Sequence, residues 1–155
     1  MKPTVHIAVS AVVSASLFVV TKSATIAGAS FLGGFLLDID HFLDYYREYG
    51  FRINRRAFFY VFRETRFEKL WLIFHAWEWV FVLLLFAVVS GWNHVVLGVL
   101  IGVFHHMALD QIGNGATAGG YSIIYRAAKR FDAKTVVPEE VVRKQRVQID
   151  EDYRE

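Results

Sequence analysis

His6 in VHIAVSAVV, Asp38-Ile39-Asp40-His41 in GGFLLDIDHFLDY, His75 and Glu78 in IFHAWEWVF, and His106 and Asp110 in GVFHHMALDQIGN are the residues of this chain best suited to chemistry. Each group lies in or beside an apolar run, where an ionisable side chain is expensive and therefore a functional candidate. The chain has no cysteine, so disulfides, iron–sulfur clusters and thiolate zinc sites are excluded. Imidazole and carboxylate remain as ligands, a set that suits zinc, manganese or iron, with magnesium in reach if carboxylates dominate.

Spacing sorts these residues further. His106 and Asp110 are four apart, so on a helix they share one face and can chelate one ion or bridge two. His75 and Glu78, three apart, are expected on one face of their own helix, about 8–12 Å into it at 1.5 Å per residue. Asp38 and His41 stand in the same relation. Asp40 falls on the opposite side of an ideal helix, where it joins the site only if the backbone unwinds, and otherwise pairs with Asp44 or faces a loop. His105 is rotated by about 100° from His106 and reads as a packing or supporting group. His94 lies at the other end of its run and reads as an interfacial residue. Glu78 is either a base or bridging carboxylate, or a neutral acid hydrogen-bonded between helices. No Gly-x-Ser-x-Gly, phosphate loop or dinucleotide fingerprint is present.

The elements that must position these residues are membrane helices. At 155 residues there is room for one domain. With 55% hydrophobic and 16% aromatic residues, a soluble domain of this size cannot hide its apolar surface. Apolar runs cover residues 5–20, 24–37, 70–89 and 95–109. Gly28, Gly33 and Gly34 suit the second to close helix packing, and the run must continue past Leu37 to reach the roughly 20 residues of a full span. Trp71, Trp77, Trp79 and Trp92 stand near the ends of the later runs, as an aromatic belt would place them. The expected fold is an all-α integral membrane bundle of about four transmembrane helices. Between spans two and three, residues 52–69 interleave arginines with phenylalanines. An amphipathic helix on anionic headgroups explains that better than nucleic acid does. Residues 121–131 have the spacing of a short amphipathic helix. Residues 1–132 then form the membrane-embedded metal-binding domain, and 133–155 a polar, solvated tail.

Orientation follows from the basic residues. The connection at 46–69 holds Arg47, Arg52, Arg55, Arg56, Arg63, Arg66 and Lys69; the first short connection holds only Lys22, and 90–94 holds none. The positive-inside rule then makes both termini cytoplasmic in an inner (cell) membrane. It also puts the ionisable clusters at the cytoplasmic ends of their helices. A secretory signal is the rival reading of residues 1–23, but three more spans follow a start with a single charge.

With these residues in place, the chain resembles the YdjM-type membrane-bound metal-dependent hydrolases. Their pattern is an early histidine, a Gly-rich run ending in Asp-x-Asp-His, a histidine opening a long apolar helix, and a closing Gly-x-x-x-His-x-x-x-Asp. It is matched here by His6, then Asp38, Asp40 and His41, then His75, then Gly102, His106 and Asp110. The match covers about residues 5–112. Leu37 stands where the family usually has proline, and the usual His-Arg-Gly before the mid-chain histidine is absent. The resemblance implies phosphoester hydrolysis with divalent metal at His6, Asp38, Asp40, His41, His75, His106 and Asp110, zinc favoured. The residues themselves add Asp40 or Glu78 as base or bridging carboxylate, the His-x-x-Glu of His75 and Glu78 being a variation on the family pattern. A site at the headgroup level suits a phosphoester or other ester of a lipid-like substrate, with membrane lipids as partners and no nucleic acid. The alternative is a non-catalytic membrane protein whose divalent ion is structural or cargo.

Overall fold

The computed structural model describes residues 3–50, 68–114, 116–117 and 119–140. These residues are helical, with one isolated bridge between Lys69 and Asp132 and no strand among them. The helices are α1 (Pro3–Thr21), α2 (Ala24–Leu36), α3 (Ile39–Tyr49), α4 (Trp77–Val89), α5 (His94–Gly113), α6 (Ile123–Ala128) and α7 (Ala133–Val136). They fall into two compact units. The first comprises Met1–Ile39 and Phe74–Asn114, the second Asp40–Ile73 and Gly115–Glu155.

The first unit contains α1, α2, α4 and α5. Three segments among the described residues are long and apolar enough to cross a membrane: Thr4–Thr21, Ala24–Arg47 and His94–Gly113. The fourth expected span is shorter than its apolar run. Only Trp77–Val89 is helical, about 20 Å of helix at 1.5 Å per residue, because the chain is irregular from Leu70 to Ala76. Large apolar side chains such as Val12, Val20, Phe81, Leu85 and Ile112 are exposed on these helices, as lipid-facing residues would be.

Connections within this unit are short. Lys22 and Ser23 join α1 to α2, and the Ser23 hydroxyl accepts from Ile26 N–H as the N-cap of α2. Residues 90–93 join α4 to α5, and Asn93 caps α5 by accepting from Val95 and Val96 N–H. Connections this short make antiparallel neighbours. Helix α5 packs mainly on α2, α2 on α1, and α4 on α5. Glycines permit the closest of these approaches. A Cβ on Gly98 would lie 2.6 Å from Ala29 Cβ and from Ile26 O. One on Gly102 would collide with Ser30 O and lie 2.7 Å from Gly34 N. The Gly-x-x-x-Gly of α5 thus brings its backbone against that of α2, the small-residue packing that membrane helices use.

The second unit has its own small core of Tyr45, Leu70, Leu72, Ala133 and Val136. Asp44 Oδ2 accepts from Trp71 N–H at 2.9 Å and Leu72 N–H at 3.0 Å. Arg126 is fully buried, donating from Nη1 to Gly120 O at 2.6 Å and from Nη2 to Leu72 O at 2.8 Å. These contacts hold Leu72 at a left-handed φ of 41°, which an L-residue keeps only when its surroundings over-determine it. Trp71 stacks on Phe131 with 4.4 Å between centroids, and Arg47 lies 3.8 Å above the Trp71 ring.

Two expectations change here. The amphipathic helix at 121–131 is only Ile123–Ala128, and its Arg126 points into the unit rather than to headgroups. The stretch expected to begin a solvated tail starts with a packed turn of helix, Ala133–Val136, whose ends are buried. The expected interfacial helix at 52–69 lies almost wholly outside the described residues, as does the tail beyond 140.

Candidate metal centre

The first unit gathers His6 from α1, Asp38 from the turn after α2, His75 from just before α4, and His106 and Asp110 from α5. His6, His75, His106 and Asp110 are buried, while the Asp38 side chain keeps 23% of its exposure. Helical spacing places His106 and Asp110 on one face, with His106 Nε2 3.4 Å from Asp110 Oδ2. His75 Nε2 is also 3.4 Å from Asp110 Oδ2 and 3.1 Å from His106 Nε2. Asp38 Oδ1 is 3.5 Å from both imidazole nitrogens. His6 Nε2 approaches the other oxygen of Asp110, Oδ1, at 3.0 Å, and its ring stacks on that of His106 at 4.1 Å.

These distances can be compared with what an ion requires. Donors about 2.0–2.2 Å from a tetrahedral ion lie about 3.3–3.6 Å from one another. The five separations linking His75 Nε2, His106 Nε2, Asp38 Oδ1 and Asp110 Oδ2 run from 3.1 to 3.5 Å. Proton placement agrees. His106 Nδ1 lies 2.6 Å from Gly34 O, and a carbonyl only accepts, so Nδ1 carries a proton and Nε2 is the nitrogen turned towards Asp38 and Asp110. This backbone anchor is the kind of partner that fixes the tautomer of a metal-ligating histidine. Two imidazole nitrogens and two carboxylates thus converge, an arrangement that a cation would offset. The buried histidine and aspartate groups of this unit could hold a metal ion.

The other sequence-selected residues are placed as follows. Asp40 and His41 belong to the second unit, in the first turn of α3, Asp40 buried and His41 half-buried. Asp44 binds the backbone of Trp71 and Leu72. His75 and Glu78 do not share a helix face: α4 starts at Trp77 with Ala76 as an extended N-cap, so His75 precedes the helix and half-buried Glu78 stands in its first turn. His105 supports packing instead, with Nδ1 donating to Ile101 O at 2.9 Å and Nε2 accepting from Ser10 Oγ at 3.0 Å. His94 is sixteen residues before Asp110 on α5, about 24 Å along the axis, and lies 3.4 Å from Ser23 Oγ at that end.

Sequence reading missed two contributors, the Gly34 carbonyl and Asn114. Asn114 Nδ2 donates to Asp110 Oδ1 at 2.7 Å, and its backbone N–H caps α5 on Asp110 O at 3.0 Å. The second was visible as spacing, since Asn114 follows Asp110 by the same four residues that separate Asp110 from His106. The first was not, because a backbone carbonyl leaves no mark in side-chain pattern. Comparison of the chain with protein-family models, curated proteins and solved structures gives no match.

Proposed function

We propose that this protein is a membrane-embedded metal-dependent hydrolase, with zinc as the favoured ion and an ester of a lipid-like molecule as substrate. The observation that carries the reading is the asymmetry of the donor set. His75, His106 and Asp110 are buried to within 3% of completely, whereas Asp38 is the one partly exposed donor. Catalytic zinc sites combine three fixed protein donors with one position open to water or substrate, whereas structural sites are closed. Asp38 marks the side from which a substrate oxygen would arrive. The sequence resemblance to the YdjM-type hydrolases points the same way.

A bound divalent ion would lower the pKa of water and stabilise charge on a phosphoryl or acyl oxygen. The chain's own residues supply the remainder. His75, His106 and Asp110 orient the centre, and the stacked His6 ring covers one side of His106. Glu78, in the first turn of α4, would accept the proton of the attacking water. A substrate entering past the exposed Phe74, next to His75, would have an apolar body and a polar ester.

A second reading has its own support. His75 and His106 lie 3.1 Å from each other and 3.4–3.5 Å from Asp38 and Asp110, so these four donors can also close a tetrahedron, which is the form of a structural ion. Metal analysis of detergent-purified protein, followed by phosphoesterase and lipase substrates, separates the two. Metal-dependent turnover that Glu78→Gln abolishes while bound metal is retained supports hydrolysis. Stoichiometric metal with no turnover on any ester class supports the structural ion.

A further inference from the structure

We infer that His6 and Asn114 are positioning residues that hold the outer oxygen of Asp110 so that its inner oxygen faces the ion. This inference rests on the metal centre of the reading above and is independent of hydrolysis. Asp110 divides its two oxygens. Oδ2 faces His75 and His106, at 3.4 Å from each. Oδ1 receives Asn114 Nδ2 at 2.7 Å and His6 Nε2 at 3.0 Å. A carboxylate oxygen offers about two lone-pair directions; Asn114 Nδ2 fills one on Oδ1, and we assign the other to a proton on His6 Nε2, 3.0 Å away. No direction on that oxygen is then left for a cation, so Oδ2 is the ligand and His6 acts through Asp110 rather than on the ion.

The surrounding geometry supports that division. Asn114 is the C-cap of α5, so the residue ending the helix also turns its amide back onto the carboxylate one turn earlier. His6 lies against the His106 ring with only 21° between planes, which aligns its Nε2 edge with the α5 face carrying Asp110. The sequence pattern that marked His6 as a ligand is satisfied equally by an imidazole that orients one. Outer partners of this kind change metal affinity by about 10–100-fold when lost.

Glutamine carries an amide nitrogen near the place of imidazole Nε2 and ligates divalent metal poorly, so it separates the two roles. Zinc affinity and stoichiometry are measured by equilibrium dialysis of full-length protein, and Co2+ absorption reports the ligand field. His6→Gln is expected to keep the wild-type stoichiometry and an affinity within a few-fold, with the Co2+ spectrum unchanged. His6→Ala and Asn114→Leu are expected to weaken binding about 10–100-fold without lowering stoichiometry. His75→Ala is expected to abolish it. Loss of an ion in His6→Gln would make His6 a ligand and overturn the inference, as would unchanged affinity in both His6→Ala and Asn114→Leu. Should either of those fail to fold, as judged by the thermal midpoint of metal-free protein, His6→Gln still decides. A wild-type protein that binds no ion would overturn the metal centre itself.

Discussion

At the scale of single residues, the centre separates histidines that present a nitrogen to Asp110 from those that do not. His106→Ala removes a nitrogen in contact with both Asp38 and Asp110, and Asp110→Ala removes the carboxylate that three imidazoles approach. Both are expected to lose bound metal. His94→Ala is expected to leave metal content unchanged, because its ring lies beside Ser23 at the far end of α5. His105→Ala breaks the Ser10 contact between α1 and α5; it should lower the thermal midpoint by an amount typical of one buried hydrogen bond, about 0.5–1.5 kcal/mol, and retain the ion. Metal analysis of the four purified variants checks this, and equal loss from His94→Ala and His106→Ala would remove the centre from this end of the bundle. The contrast between His105 and His106 was legible from helical periodicity alone. Which nitrogen of His106 and which oxygen of Asp110 face inward was not, since that depends on Gly34 O and Asn114, partners 72 and four residues away.

At the scale of elements, the centre depends on how closely α5 lies against α2. His106 reaches Gly34 O because Gly102, one turn earlier, has no side chain to hold the helices apart. Gly102→Ala drives a methyl into Ser30 O and toward Gly34 N. It should destabilise the protein by about 1–3 kcal/mol, as overpacking does, and weaken metal binding by lengthening the His106 anchor. Gly28→Ala is the control: an added Cβ there meets nothing within 4 Å, and replacing glycine inside a helix favours stability by up to about 1 kcal/mol. Thermal midpoints and metal content of the two variants test the pair, and a tolerated Gly102→Ala would dissociate the glycines from the site. The glycines were readable as a packing signal. The start of α4 was not. Residues 70–89 form an apolar run with no glycine or proline until Gly91, so nothing local stops a helix. The break at Leu70–Ala76 is imposed in part by tertiary contacts, the grip of Asp44 and Arg126 on Trp71 and Leu72. Tertiary contacts override propensity in this way routinely.

At the scale of the whole molecule, the proposed ion links stability to metal. His106 Nε2 faces the Asp38 and Asp110 carboxylates at 3.5 and 3.4 Å, and a bound cation would offset their charge. Binding to the folded state alone stabilises by RT ln(1 + [L]/Kd), about 2.7 kcal/mol at a hundredfold excess over Kd. Chelation should lower the thermal midpoint in detergent, and re-addition of zinc should restore it. An unchanged midpoint after confirmed metal loss would remove the ion from the folding energetics.

The number of crossings decides which side of the membrane each terminus occupies. Helices α1, α2 and α5 fall within segments long enough to cross, while α4 has thirteen residues, about 20 Å against a hydrocarbon core of about 30 Å. If α4 stopped short, three crossings would put the termini on opposite sides. A fourth crossing is the expectation to test. His75 lies beside His106, while the other end of α4 turns into the N-terminus of α5 through residues 90–93. The chain from His75 onward therefore accompanies α5 from the level of the metal centre to the opposite end. Likewise His6 meets Asp110 at one end of α1, and Ser23 meets His94 at the other. Four crossings, with seven Lys/Arg in the connection at 46–69, would place that connection and both termini in the cytoplasm. In a bacterial host, a periplasmic alkaline phosphatase reporter is expected to be active when fused within residues 90–93 and inactive when fused after Glu155. Activity at both positions would mean that the chain after residue 93 does not return to the cytoplasm, which would overturn the expected four crossings and the expected cytoplasmic side of the metal centre.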